Sequence, residues 1–255
     1  MEFLRADYTE VWAASQNLPL ARFADRTRSI ASTGLDLLGL QDVEPPAAVI
    51  QALQGFDSIV SWYGANRREF REAVGRLRLP FEFHQALPAA TAGVHAADFY
   101  LWQVGGEGTA MPRLDCPAPG EDCVLIHPFS GSPKKDWPLD RFRALARRLA
   151  VRWAVQWVVE PGGRTVDGVD LAPPTRDLFE LACRLAGARL YVGNDSGITH
   201  LAAAAGAPVL ALFGPTDPAV WGPRGGRVRI LSSGGAPLDS IPVEAAAEAA
   251  QALLG

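Results

Sequence analysis

The stretch RLYVGNDSGITHLAAAAGAPVLALFGPTD, residues 189–217, decides the fold. Residues 189–192 read as a strand, apolar from Leu190 on. A polar turn follows, in which Asp195 or Ser196 is a natural N-cap and Gly197 permits close backbone approach. Residues 197–205 read as a short helix, closed by Gly206 at a position where helices favour glycine. Residues 208–213 return to an unbroken apolar run. Strand, helix and strand in such close succession indicate a parallel crossover unit.

The same alternation continues outward. Residues 124–127 are a buried-type strand. Residues 139–149 form a helix, with Phe142, Leu145, Ala146 and Leu149 at helical spacing on one face. Residues 151–159 are a strand, 176–186 a helix with Leu178, Leu181, Ala182 and Leu185 inward, and 243–254 a terminal helix. About 130 residues of this pattern predict a parallel sheet with helices on both faces. Such sheets bind ligands beyond the carboxyl ends of their strands, so the loops that follow strands are the informative ones.

The first half is less regular. Residues 10–14, 57–62 and 81–84 have strand character. Residues 66–77 read as a helix with Phe70, Ala73, Val74 and Leu77 on one face and Arg67, Arg68, Glu69, Arg71 and Glu72 toward water. Residues 95–104 read as a second helix. The Gly- and Pro-rich segment GGEGTAMPRLDCPAPG, residues 105–120, has little periodicity and marks a linker. These features predict an N-terminal domain over 1–111, a linker over 112–120 and a C-terminal domain over 121–255.

Composition narrows the function classes. The 255 residues are 48% hydrophobic and 20% charged, a globular balance. A net charge of −4 gives no nucleic-acid signal, and residues 1–120 carry all of it, with 10 Lys and Arg against 14 Asp and Glu. Residues 121–255 carry 14 of each, so the second half is the better host for a polyanion. Three cysteines, Cys116, Cys123 and Cys183, make no disulfide framework, and the four histidines form no metal motif. No apolar run approaches the roughly 20 residues that span a bilayer, and the start MEFLRADYTEVW lacks a signal pattern. The expectation is a soluble, cytoplasmic protein that binds no metal and no nucleic acid.

Three loops carry candidate chemistry. In HPFSGSPKKDWP, residues 127–138, Ser130, Gly131 and Ser132 can bring backbone N–H groups to an anion, and Lys134 and Lys135 add charge suited to phosphate. A polar turn with solvated lysines would look the same. In GNDSGITH, residues 193–200, the free N–H groups of a helix start can hold a diphosphate or a sugar hydroxyl, and His200 falls on the same first turn. A plain capped helix is the alternative. In GPTDPAVWGPRGG, residues 214–226, Thr216 and Asp217 stand just after a strand in a loop stiffened by proline; the alternative is a surface turn.

Taken together, HPFSGSPKKDWPLDRF and YVGNDSGITHLAAAAGAPVLALFGPTDPAVWGP resemble the donor-binding domain of glycosyltransferase family 9, which includes the ADP-heptose:lipopolysaccharide heptosyltransferases. The second stretch is long and specific, and Lys135-Asp136-Trp137-Pro138 supplies the family's K-x-W-P. The resemblance covers residues 121–255 and is diffuse over 1–120. It implies the GT-B architecture, two Rossmann-like domains with parallel sheets, and a metal-independent reaction with a nucleotide diphosphate sugar as donor and no cofactor. It assigns Lys135 to the donor phosphates and Asp195, Ser196 and Gly197 to sugar and diphosphate. His200 supports that loop, and Glu160, after the 151–159 strand, takes an acidic contact to the nucleoside, although EPGG departs from the family spacing.

The resemblance also implies a first strand followed by a Gly-Asp-x-x-x-Thr-Pro-like loop near the acceptor-side carboxylate. Neither is found, and no glycine turn precedes Asp7. The N-terminal domain is therefore expected to lack its first strand and loop, which would expose a sheet edge and favour homo-oligomers. Three readings stay open: the sequence begins within the domain, another carboxylate serves, or the donor is bound without transfer. The leading function is transfer of a sugar, such as heptose, to a glycan or glycolipid acceptor at the inner face of the membrane. The alternatives are a non-catalytic nucleotide-sugar-binding or scaffold protein and a sugar-nucleotide epimerase.

Overall fold

The computed structural model describes residues 4, 6–88, 93–118, 120–159 and 162–255. The chain divides into two compact units. One comprises residues 1–92 and 99–107, the other residues 93–98 and 108–255.

The first unit contains two small parallel sheets. Strand β1 (Glu10–Ala13) pairs with β2 (Arg26–Ser29). After helix α1 (Ala47–Gln54), strand β3 (Ile59–Ser61) leads into helix α2 (Arg68–Arg76), then β4 (Phe81–Phe83), which pairs with β3, and helix α3 (Ala96–Gln103) begins in the second unit and ends in the first. Helix α2 buries Phe70, Ala73 and Val74 as its periodicity predicts. Phe70 is fully buried and meets Tyr63, Phe81 and Phe83 edge-on, at centroid distances of 5.6 to 6.0 Å. Arg67 departs from expectation. It does not simply face water, because it donates to the Tyr63 hydroxyl at 3.0 Å and lies 5.6 Å from the Phe70 ring.

The second unit holds one five-stranded sheet. Its strands are β5 (Cys123–His127), β6 (Ala154–Trp157), β7 (Leu190–Asn194), β8 (Val209–Phe213) and β9 (Val228–Ser232). All neighbours are parallel, in the order β6-β5-β7-β8-β9. The helices between them are α4 (Leu139–Leu149), α5 (Leu178–Gly187), α6 (Gly197–Ala204) and the short α7 (Pro218–Trp221), and α8 (Val243–Leu254) follows the last strand. Successive side chains along β5, β7 and β8 point to opposite faces of the sheet. Val124, Ile126, Leu190 and Val192 join Leu210 and Leu212 in a core with Phe142, Leu145 and Leu149 of α4 and the alanines of α8. The alternate residues Leu125, Tyr191 and Ala211 are equally buried, on the face that α6 packs against. Burial on both faces explains why these strands read as unbroken apolar runs.

The strand order reverses at β5 and β7. The first connection from β5 runs outward to β6, and the next returns past β5 to β7. The loops after β5 and β7 therefore diverge to opposite faces and open a crevice at their carboxyl ends.

Candidate functional site

The crevice is built from a buried asparagine outward. Asn194, the last residue of β7, is fully buried. Its amide donates to the Pro128 carbonyl at 2.7 Å and accepts the Trp137 N–H at 3.0 Å. One side chain thus ties both ends of the loop after β5 to the end of β7. Trp137 is 1% exposed, and its indole N–H finds the Ile241 carbonyl at 3.1 Å. Between these anchors, residues Pro133–Lys135 form a tight 3-10 turn. That turn aims Lys135 into the crevice while Lys134 stays exposed.

Lys135 Nζ meets Asp195 Oδ2 at 2.7 Å, and the Thr216 hydroxyl donates to the same oxygen at 2.5 Å. Residues from the loops after β5, β7 and β8 thus converge on one carboxylate. Asp195 is 6% exposed, so these partners, rather than water, satisfy that oxygen. Its other oxygen, Oδ1, lies 3.9 Å from His200 Nε2 and accepts no hydrogen bond among the described residues. Desolvation by the surrounding protein lowers the pKa of His200 although 43% of its side chain reaches solvent; Asp195 pulls the other way.

Ser196, not Asp195, caps α6. Its Oγ accepts the Thr199 N–H at 3.3 Å. The buried Thr199 hydroxyl bonds back to the Asn194 carbonyl and lies 3.1 Å from the Tyr191 hydroxyl, fixing the turn from below. Gly197 opens the helix, and a Cβ there would meet nothing within 4 Å; the same holds at Gly131. Both glycines face open space, and at Gly197 the free N–H groups of a helix start can meet a ligand. Gly193 is glycine for another reason. A Cβ would stand 2.8 Å from Cε1 and Cζ of Tyr191, and closer still to its hydroxyl.

The remaining predicted positions divide. Ser130 Oγ lies 2.7 Å from both the Ser132 carbonyl and Asp136 Oδ1, so Ser130 and Ser132 shape their own loop. Asp217 is exposed and caps α7, accepting the Ala219 N–H at 2.9 Å. Lys134 makes no hydrogen bond or ion pair with a described residue. Glu160 lies outside the described residues. Sequence reasoning missed Asn194 and Thr199. Both sit in the GNDSGIT string, where a polar residue ending a buried strand is the available signal. No group of three or more metal-ligating side chains occurs among the described residues. A depression of about 330 Å³ lined by Glu121, Asp122, Arg189 and Arg227 lies before the strands, at the opposite end of the sheet.

Known proteins share this fold. Lipopolysaccharide heptosyltransferase 1 of Pseudomonas aeruginosa is 37% identical over 131 residues, a match spanning 48% of this chain and 37% of that one. The chain therefore matches well under two thirds of that relative's length. A family 9 glycosyl transferase from Veillonella parvula superposes with a TM-score of 0.72 at 18% identity, over 97% of this chain and 88% of that one. The E. coli heptosyltransferase WaaC, solved with ADP, superposes with a TM-score of 0.69 at 18% identity, over 95% and 89%. At these identities the likeness shows the fold, which is the α/β GT-B type with parallel, Rossmann-like sheets. The sequence model of glycosyltransferase family 9 (heptosyltransferase) matches residues 107–241, more than half of the 255, and the chain belongs to that family.

Proposed function

We propose that the chain binds a nucleoside diphosphate sugar in the crevice between β5 and β7 and transfers the sugar to a glycolipid. By similarity to the P. aeruginosa relative and to WaaC solved with ADP, the donor is ADP-heptose and the acceptor a lipopolysaccharide precursor. The observation that supports this reading is the convergence of Lys135, Asp195 and Thr216 beside the open start of α6.

The proposed roles follow from the geometry. Charge builds on the diphosphate as the glycosidic bond breaks. Lys135 and the N–H groups at Gly197 and Ile198 stabilise that charge without a metal. The Gly131 N–H and the exposed Lys134 add to the anion's surroundings, while the Ser132 N–H is held within its own loop by the Ser130 hydroxyl at 3.2 Å. Asp195 Oδ1, the oxygen left free, accepts a sugar hydroxyl while Oδ2 is held by Lys135 and Thr216. His200 borders that position, and Ser196 and Asp217 hold their helix starts; Glu160, outside the described residues, is assigned to the nucleoside by the family resemblance alone. Deprotonation of the acceptor hydroxyl falls to a base that this loop cluster does not supply. A lipid-borne acceptor brings the protein to a membrane surface; no described helix is long and apolar enough to cross one.

The relatives reported above carry transferase names, so the scaffold and epimerase alternatives gain nothing from them. The test is donor turnover. ADP-heptose incubated with the protein and a heptose-free lipopolysaccharide precursor should release ADP only when both are present. Donor binding with no ADP release would refute transfer.

A further inference from the structure

Arg164, in the loop after β6, has no part in the donor reading, yet it grips the donor loop at several points. Its Nη2 donates to the Ser130 carbonyl at 3.1 Å and to Asp136 Oδ2 at 3.0 Å. Its Cζ lies 4.2 Å from the centroid of Phe129, a cation–π contact, and Phe129 packs on the core of the second unit. Asp136 also faces the Ser130 hydroxyl at 2.7 Å through its other oxygen. The contacted residues, 129, 130 and 136, bracket the Pro133–Lys135 turn on both sides. Half of the guanidinium side chain is exposed, at 51%, and the Asp136 side chain is 18% exposed. An exposed pair of this kind adds little to global stability. Its consequence is local, because the loop it braces is the one that presents Lys135.

We propose that Arg164 is a positioning residue for the diphosphate site, acting with Asp136 to hold the Lys135 loop in its binding shape. The inference rests on the donor reading above. A planar guanidinium can lie on the Phe129 ring and donate to two oxygens at once; an ammonium cannot do all three. With the brace removed, the loop samples other shapes and part of the binding energy goes into ordering it. Lys135 keeps its ion pair with Asp195 but loses its fixed approach to the phosphates.

The test is calorimetric titration of ADP into the wild type, Arg164→Ala, Arg164→Lys, Asp136→Asn and Lys135→Ala, with donor kinetics alongside. Arg164→Ala should weaken ADP about tenfold and raise the donor KM similarly, with kcat at saturating donor held within about twofold, the signature of lost ground-state binding. Arg164→Lys should recover only part of the affinity. The double variant Arg164→Ala/Asp136→Asn should bind no worse than its weaker parent, since both changes break one brace. If Arg164→Ala binds ADP like the wild type while Lys135→Ala does not, the positioning role is wrong and the donor reading stands. If the wild type fails to bind ADP, both fall. A variant that melts far below the wild type and loses kcat and KM together would mark a merely structural role and overturn the proposal.

Discussion

Replacing Asn194 with alanine should damage the second unit more than any other single polar truncation in the crevice. The side chain is fully buried and makes two hydrogen bonds, to the Pro128 carbonyl and from the Trp137 N–H. Both partners are themselves buried backbone groups. Alanine removes their common partner, and each orphaned group costs about 1–3 kcal/mol. The loss is therefore about 2–6 kcal/mol, with the lower end applying if a water enters the vacated space. For a unit of this size the melting temperature should fall by about 5–20 °C. Asparagine to aspartate should be no milder. A carboxylate still accepts from Trp137 but turns a lone pair toward the Pro128 carbonyl. Urea unfolding followed by tryptophan fluorescence measures the change, with the C-terminal transition treated separately from that of the first unit. A loss below about 0.5 kcal/mol would refute the claim that Asn194 is the tie between the two loops, because surface substitutions alone give that much.

Other outcomes follow from single observations. Gly193→Ala places a methyl against the rigid Tyr191 ring and should cost about 1–3 kcal/mol in the same unfolding assay, with no change at Gly131→Ala, whose Cβ faces open space. Ser196→Ala removes the cap of α6 and should cost about 0.5–2 kcal/mol; equal stability would show that the Thr199 contacts carry the turn alone. Asp98 accepts a two-pronged hydrogen bond from Arg224, which holds its pKa down to about 2. Its folded pKa is lower than its unfolded one, so this stability is complete above about pH 4 and is lost as pH falls toward 2. Asp98→Asn should flatten that part of the stability profile, and an unchanged acid limb would contradict the assignment. The His200 imidazole, monitored by NMR, should titrate below its usual value because desolvation outweighs Asp195.

The second unit was legible because its strands are buried on both faces. The apolar stretches read at residues 124–127, 189–192 and 208–213 stand out against amphipathic helices and fall within a residue or two of strands 123–127, 190–194 and 209–213, and α4 and α8 were read to the residue. β9, Val228–Ser232, was missed because its Arg229 and its partly exposed pattern carry no such run. β2, Arg26–Ser29, escaped for the same reason: RTRS is polar throughout, and pairing with β1 rather than composition makes it a strand. α1 was hidden by its length, eight residues after two prolines, with only Val49 and Leu53 buried. β6 is shorter than read, Ala154–Trp157, because the apolar stretch around it includes the turn after α4.

Within the candidate site, the residue types were readable but their pairing was not. Lys135, Asp195, Thr216 and His200 all stand in loops that follow strands, which is a sequence-level statement. That Lys135 and Thr216 share one oxygen of Asp195 depends on the strand order, which no local pattern encodes. The separate fates of Lys134 and Lys135 likewise depend on the 3-10 turn that points neighbouring side chains apart.

A crystal structure of the protein with ADP tests the central claim most directly. The diphosphate should lie within about 3 Å of Lys135 Nζ and the backbone N–H groups at Gly197 and Ile198, in the hydrogen-bonding range. A nucleotide seated instead in the depression beside Arg189 and Arg227, at the far end of the sheet, would contradict it.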